Sequence, residues 1–308
     1  MHSSSNKYTY KEAVSLYINE RNHRLSTERV FVCIVENFFD KVDSIYPDDI
    51  DKKTVLKWRR NRLAEISATT LNSNIGYLNS FYAFCIENCL VKSRVNPFKG
   101  MRVKTKIGGD RSINIDHIER VFNYFDKDEY IFNGESSLFW KTFTMTLYHT
   151  GMRVSQLLNL TCNDINIDAG WILMRAEFSK NYHEYKVPIS DDLQASLYEY
   201  KKRFNPSKGQ FFNTLFYKGV PLGHRRSIKT TDSEVFNFYK KLSDTLGFRI
   251  TTHMFRHTLA TDIIRKTGNV IFAQKILGHL CVNSTAKYTH VDIDELRDML
   301  NEMVRPES

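Results

Sequence analysis

Apolar residues return every three or four positions along most of this 308-residue chain, the period of helices that pack by one face. In residues 8–91 the segments "TYKEAVSLYINERN", "STERVFVCIVENFFDKV", "DKKTVLKWRRNRLAE" and "ATTLNSNIGYLNSFYAFCIENCLV" each read as a helix. The second is expected to open on Ser26 as N-cap, with Glu28 in the first turn, where negative charge suits the helix dipole. Arg29 stands where Glu or Gln would complete a capping box. The fourth has the clearest stripe: Leu71, Ile75, Leu78, Tyr82, Cys85 and Cys89.

Helical spacing resumes after residue 112 in "NIDHIERVFNYFDK", "LFWKTFTMTLYHTGMRVSQLLNL", "SEVFNFYKKLSDTLG", "THMFRHTLAT", "VIFAQKILGH" and "DELRDMLNEMV". "GWILMRAEFSKNYHEYKVPIS" differs: two extended runs flank a polar turn at Ser179, Lys180 and Asn181, which predicts a hairpin. Between the two helical regions lies "KSRVNPFKGMRVKTKIGGDR", with turn signals at Asn96-Pro97 and Gly108-Gly109. The pattern predicts a mainly α protein with a small β-sheet, in two domains. These are a helical domain at 1–101, a basic linker at 102–112 and a second domain at 113–308.

Charge adds a partner class. Lys plus Arg number 44 against 35 Asp plus Glu, a net charge of +9 that suits a polyanion. The third helix carries Lys52, Lys53, Lys57, Arg59, Arg60 and Arg62 against Asp51 and Glu65. The stretch between the domains carries Lys92, Arg94, Lys99, Arg102, Lys104, Lys106 and Arg111 against Asp110. That charge suits a segment lying along a phosphate backbone, and equally a linker kept soluble by it. Thr69, Thr70, Asn72, Ser73 and Asn74 give the fourth helix an uncharged, hydrogen-bonding start. Such groups suit phosphates or base edges, or simply cap the helix.

The five cysteines lack CxxC spacing, which argues against a disulfide framework and a structural zinc site and for a reducing, cytoplasmic compartment. Cys85 and Cys89, four apart among apolar residues, read as small core residues. "MHSSSNKYTYKEAV" has no apolar core for a signal peptide, and no apolar run reaches membrane-spanning length.

"THMFRHTLAT" sets His253, Arg256 and His257 within five positions. His253 and His257 have the spacing of a zinc pair, but the acid of an H-E-x-x-H motif is missing and a permanent cation stands between them. An anion site fits better. Thr251 and Thr252 can cap the helix, which leaves His253 in a first turn that favours negative charge, with Arg256 one turn on.

This segment belongs to a series. "TGMRVSQLLNLTCNDI", "HMFRHTLAT", "ILGH" and "STAKYTHV", in this order and spacing, resemble the signature of the tyrosine recombinases, the phage integrase family, across nearly all of residues 112–292. The first helical region resembles the family's core-binding domain more loosely. The resemblance implies a C-shaped two-domain clamp on double-stranded DNA with paired core-type half-sites. It implies that Arg153 and Arg256 are the two active-site arginines, His253 the histidine three residues ahead of the second, and His279 the His/Trp position. Lys180 would be the lysine of the β-hairpin and Tyr288 the nucleophile. Lys57, Arg59, Arg60, Thr69, Thr70, Asn72, Ser73, Asn74, Arg102, Lys104 and Lys106 are the candidate DNA contacts. Gln156 departs from the pattern, because the family usually has an acid there to orient the arginine or histidine by a charge-assisted bond.

The implied reaction is attack of the Tyr288 phenol on a phosphodiester, giving a 3′-phosphotyrosyl link and a free 5′-hydroxyl. No step calls for a metal or ATP, and the chain shows no P-loop. The same chemistry serves strand exchange through a Holliday junction, type IB topoisomerase-like resealing and hairpin-telomere closure; a non-catalytic DNA-binding accessory is the remaining alternative. The tail "DIDELRDMLNEMV" puts Leu296, Met299, Leu300 and Met303 on one face. That face suits packing on its own domain, or, as the resemblance implies, on a neighbouring protomer of a homotetramer on DNA. The chain opens almost directly on the first core-binding helix, which leaves no room for a preceding arm-type domain. Cytoplasmic, nucleoid-associated localisation follows.

Overall fold

The computed structural model describes residues 7–21, 23, 25–105, 112–132, 134–178, 184–206, 209–213, 229–267, 271–272, 276–277, 297–298 and 300–301. The chain divides into two compact units, Met1–Gly108 and Gly109–Ser308.

Four helices build the first unit: α1 (Tyr10–Glu20), α2 (Leu25–Val42), α3 (Lys52–Glu65) and α4 (Ala68–Glu87). Their starts are fixed by local chemistry. Thr9 and Glu12 form a reciprocal capping box, the Asp51 carboxylate accepts from the Thr54 N–H at 2.7 Å, and the Ser67 hydroxyl accepts from the Thr70 N–H at 3.1 Å. Helix α2 begins at Leu25, one residue before the expected cap, so Ser26 lies within its first turn; Glu28 occupies that turn as anticipated.

The end of α4 corrects a second expectation. Cys89 takes φ +54° just past the helix, the Cys89 N–H donates to Ile86 and the Leu90 N–H donates to Cys85 at 2.8 Å. This Schellman closure turns Cys89 outward and folds Leu90 back onto the core. Cys85 remains inside, and burial pushes its thiol up to about 12.

The core of this unit is aromatic: Phe31, Phe38, Phe39 and Phe81 meet edge-on, Tyr10 stacks on Phe39 and Tyr17 on Phe31, and Phe84 meets Tyr17 edge-on. Part of the basic stretch belongs to it. Phe98 is buried with its ring centroid 5.2 Å from those of Phe38 and Tyr82, and Met101 is buried beside it. Asn72 accepts from the Val103 N–H and donates to the Val103 carbonyl, both at 2.8 Å. Residues 92–105 therefore lie on the first unit, held by apolar residues spaced among the cations.

In the second unit α6 (Ser137–Thr150) is the central helix, with α5 (Ile115–Phe125), α8 (Asp191–Phe204) and α10 (Thr252–Thr267) packed around it. Its apolar residues Phe139, Trp140, Phe143 and Leu147 are buried, and so are its threonines, each with a partner. Thr142 bonds Ser196 at 2.8 Å, Thr144 bonds the Tyr239 hydroxyl of α9 (Asp232–Leu246) at 2.8 Å, and Thr146 donates back to the Thr142 carbonyl.

The expected helix across 138–160 is interrupted. Gly151 takes φ +60° and ends α6, and a short helix α7 (Val154–Leu157) follows. The hairpin is present: β4 (Trp171–Met174) pairs antiparallel with β5 (Tyr185–Pro188), from Trp171 opposite Pro188 to Met174 opposite Tyr185. The strand β3 (Ile165–Asn166) adds to the other edge of β4. A two-residue pairing of β1 (Tyr130–Ile131) with β2 (Glu135–Ser136) completes the strands among the described residues. Helix α8 was missing from the sequence reading, although Asp191 and Asp192 at its start and Lys201, Lys202 and Arg203 at its end match a helix dipole.

No helix among the described residues is long and apolar enough to cross a membrane.

Candidate active site

Three separated sequence boxes meet at one guanidinium. Arg256 is 9% exposed on α10; its Nη1 donates to the Gly151 carbonyl at the end of α6, and its Nη2 donates to the Leu277 carbonyl at 2.8 Å. Gly151 is required there twice over. Its φ is in the left-handed region, and a Cβ would overlap the Leu277 side chain and lie 3.1 Å from that of Leu259. The small residue of "TGMR" thus lets Leu277 and the second arginine approach the α6–α7 turn.

Arg153 follows two residues later, half-buried at the start of α7. Its charge is felt at both neighbouring candidates. Burial and then Arg153 lower the Arg256 pKa to about 10, with Tyr185 of β5 acting in the opposite sense; Arg256 stays cationic at neutral pH. Partial burial, followed by the His257, Arg256 and Arg153 charges, holds His253 below the ordinary imidazole range. His253 is therefore a neutral base at pH 7, exposed in the first turn of α10. This cluster can bind an oxyanion between two arginines with an unprotonated imidazole alongside.

Asp164, a conceivable partner for Arg153, is engaged elsewhere. It takes Arg175 at 2.9 Å and the N–H and hydroxyl of Thr161 at 2.7 Å. Gln156 is 1% exposed, and its Oε1 accepts from the Arg153 main-chain N–H at 2.9 Å while its Nε2 has no partner among the described residues. It holds the main chain of Arg153, where the resemblance implies an acid that orients a side chain. Among the described residues no group of three or more His, Cys, Asp and Glu is arranged to hold a metal ion.

Lys180, His279 and Tyr288 lie outside the described residues, as does Lys106. The β4–β5 ladder reaches Tyr185, five residues after Lys180, and Tyr185 is close enough to Arg256 for its charge to be felt there. Tyr185 and the anchoring carbonyls of Gly151 and Leu277 were not anticipated; only the glycine gave a sequence signal.

In the first unit, Thr69, Thr70 and Ser73 are exposed and Asn74 half-exposed at the start of α4, with Arg102 and Lys104 exposed further on. Asn72 is removed from the DNA-contact set, since its amide is spent on Val103. Arg59 is half-buried and donates to the Met101 carbonyl at 3.1 Å. Lys57 and Arg60 are exposed on the outer face of α3.

At the carboxyl-terminal end, Leu300 is fully buried in a cluster with Leu259, Ile263, Phe272, Ile276 and Leu277. Asn301 accepts from the Asp191 N–H at 2.8 Å and Arg297 donates to the Ala169 carbonyl at 3.0 Å. These described residues pack on their own chain.

Fold and site together define a mainly α domain with a small antiparallel sheet and a cluster of two arginines and a histidine. The chain belongs to the phage integrase family, whose model matches residues 112–295. A Pseudomonas syringae sequence assigned as tyrosine recombinase XerC is 29% identical over 306 residues, 96% of this chain and 64% of its own length. Tyrosine recombinase XerC of Pediococcus pentosaceus is 27% identical over 84% of this chain and 83% of its own. The chain thus spans somewhat under two thirds of the Pseudomonas relatives. Among solved structures, the Tn1549 transposon integrase in complex with circular intermediate DNA has a TM-score of 0.66 at 16% identity, covering 95% of this chain and 99% of that one. A lambda integrase tetramer bound to a Holliday junction has a TM-score of 0.70 at 16% identity, covering 93% and 82%. These structures share the fold.

Proposed function

We propose that this protein is a site-specific DNA recombinase that cuts and rejoins strands through a 3′-phosphotyrosyl intermediate. The observation that carries the reading is the convergence of Gly151, Arg256 and Leu277, which draws three signature boxes of the family to one guanidinium. Attack on a phosphodiester builds charge on its non-bridging oxygens, and Arg153 and Arg256 fork them while staying cationic. Removing either costs on the order of 3 kcal/mol of transition-state stabilisation. His253, held neutral, takes the phenolic proton of Tyr288; Lys180 protonates the departing 5′-oxygen; His279 adds a donor to the phosphate.

The partner is double-stranded DNA with paired half-sites, contacted in the first unit by Thr69, Thr70, Ser73, Asn74, Arg102, Lys104 and Lys106. Exchange proceeds through a Holliday junction in a homotetramer, in which the contacts that Leu300 makes within its own chain are given up for the equivalent contacts on a neighbouring protomer. The element served is a mobile element or replicon.

The test is a covalent adduct. A binding site is selected from random duplex DNA, nicked to trap the intermediate, and incubated with the full chain. A DNA–protein adduct that vanishes in Tyr288→Phe, with exchange between two duplexes, supports the reading. Absence of the adduct on a tightly bound site overturns it.

A further inference from the structure

The second unit carries a cleft of about 690 Å³ between α5, α6 and α8, whose lining includes neither Arg153 nor Arg256. Its floor is apolar, with Ile118, Phe122 and Met145, and its rim carries Glu119, Asp192 and Glu199. These three carboxylates are exposed and have no ionic partner among the described residues. A fourth, Asp126, is matched by Lys141 at 2.5 Å. In a chain of net charge +9 this is a local reversal of sign, and it repels a phosphate backbone. The cleft is therefore suited to protein. The chain's own terminal segment carries Asp292, Asp294, Glu295, Asp298 and Glu302, the wrong sign for an acidic rim.

Helix α3 has the complementary face. Val55 and Trp58 point into the core of the first unit, while Lys53, Leu56, Lys57, Arg60 and Leu63, three or four apart, form the outer stripe. Leu56 is 40% exposed and Leu63 is 44% exposed, one on each side of Arg60. A phosphate backbone has no use for two exposed leucines, whereas an apolar floor ringed by carboxylates matches both parts of the stripe.

We propose that the α3 stripe of one molecule docks into the α5–α6–α8 cleft of a second copy. Leu56 and Leu63 meet the floor, and Lys53, Lys57 and Arg60 meet Glu119, Asp192 and Glu199. The two patches differ, so the contact is head-to-tail and each pair keeps one free donor face on one molecule and one free acceptor face on the other, the arrangement that closes into rings. The proposal is independent of the recombinase reading.

Full-length protein without DNA is examined by sedimentation equilibrium as wild type, Glu119→Lys/Glu199→Lys and Leu56→Ser/Leu63→Ser. Wild type self-associates, and each double variant alone does so about tenfold more weakly or worse, as loss of interface anchors or charge pairs gives. An equimolar mixture of the two variants restores one contact and stops at a dimer. Circular dichroism melts confirm folding, and Glu119→Gln/Glu199→Gln or Leu56→Gln/Leu63→Gln replaces a variant that melts early. Wild type that stays monomeric, variants that associate as wild type does, or a mixture that stays monomeric each overturns the proposal.

Discussion

Arg256 and Gly151 are joined by a guanidinium-to-carbonyl hydrogen bond across 105 positions of sequence, and the same guanidinium reaches the Leu277 carbonyl. Arg256 thus adds to the phosphate role proposed for both arginines a structural duty that Arg153 does not share. Arg256→Ala leaves two carbonyls without their donor and is expected to cost about 2–4 kcal/mol of stability, besides its loss of DNA cleavage. Arg153→Ala should lower cleavage a hundredfold or more at a stability cost of under about 1 kcal/mol, since its side chain shows no hydrogen bond or ion pair to another of the described residues. Urea unfolding beside adduct formation separates the two. Equal stability losses would count against the assignment.

Gly151→Ala forces a Cβ into the left-handed region and onto Leu277. The expected loss is about 2–4 kcal/mol, combining backbone strain with overpacking. Leu277→Ala in the same chain should recover part of it, measured by the change in melting temperature. No recovery would mean that backbone strain alone is responsible.

His149 is completely buried near the end of α6, its Nδ1 2.5 Å from the Ser190 hydroxyl, and burial holds its pKa down to about 3. The folded value lies below the unfolded one, so the unfolded chain gains the proton first. Stability is full above about pH 6.5 and falls as pH drops toward about 3, by about 2 kcal/mol at about pH 5. Urea midpoints at neutral and acid pH should show this slope in wild type, and His149→Gln should flatten it.

His253 titrates below the usual imidazole range because of partial burial and the neighbouring cations. If it is the base, adduct formation falls on acidification with an apparent pKa under about 6.5. His257→Gln and Arg153→Gln each remove a charge that opposes protonation, so each should move that inflection upward. An unchanged pH profile in both would remove His253 from the proton path.

Asn72→Ala should cost about 1–3 kcal/mol by leaving the Val103 N–H and carbonyl unpaired. Thr69→Ala and Ser73→Ala should leave stability within about 0.5 kcal/mol while weakening DNA binding. Gel-shift titrations set beside thermal melts test both halves.

Periodicity carried much of this fold. The stripes of α1, α4 and α9 and the hairpin of β4 and β5 follow directly from residue spacing. What it could not carry was backbone geometry: the break at Gly151, the outward turn at Cys89 and the start of α2 before Ser26 depend on single φ values and local hydrogen bonds. In the basic stretch, Phe98 and Met101 are two apolar residues among the cations that seat it on the first unit, a packing that net charge does not announce. Among the site residues, the arginines and His253 were legible as motif positions. Gln156 and Asn72 bond main-chain groups from another residue, a role that no side-chain alphabet announces.

The two carbonyls on Arg256 also bear on how such a chain can decay. A lineage that no longer needed to cut DNA could drop Arg153 silently, but discarding Arg256 would first compromise solubility and lifetime. Conservation of this one cation in a silent copy would therefore testify to folding and not to turnover.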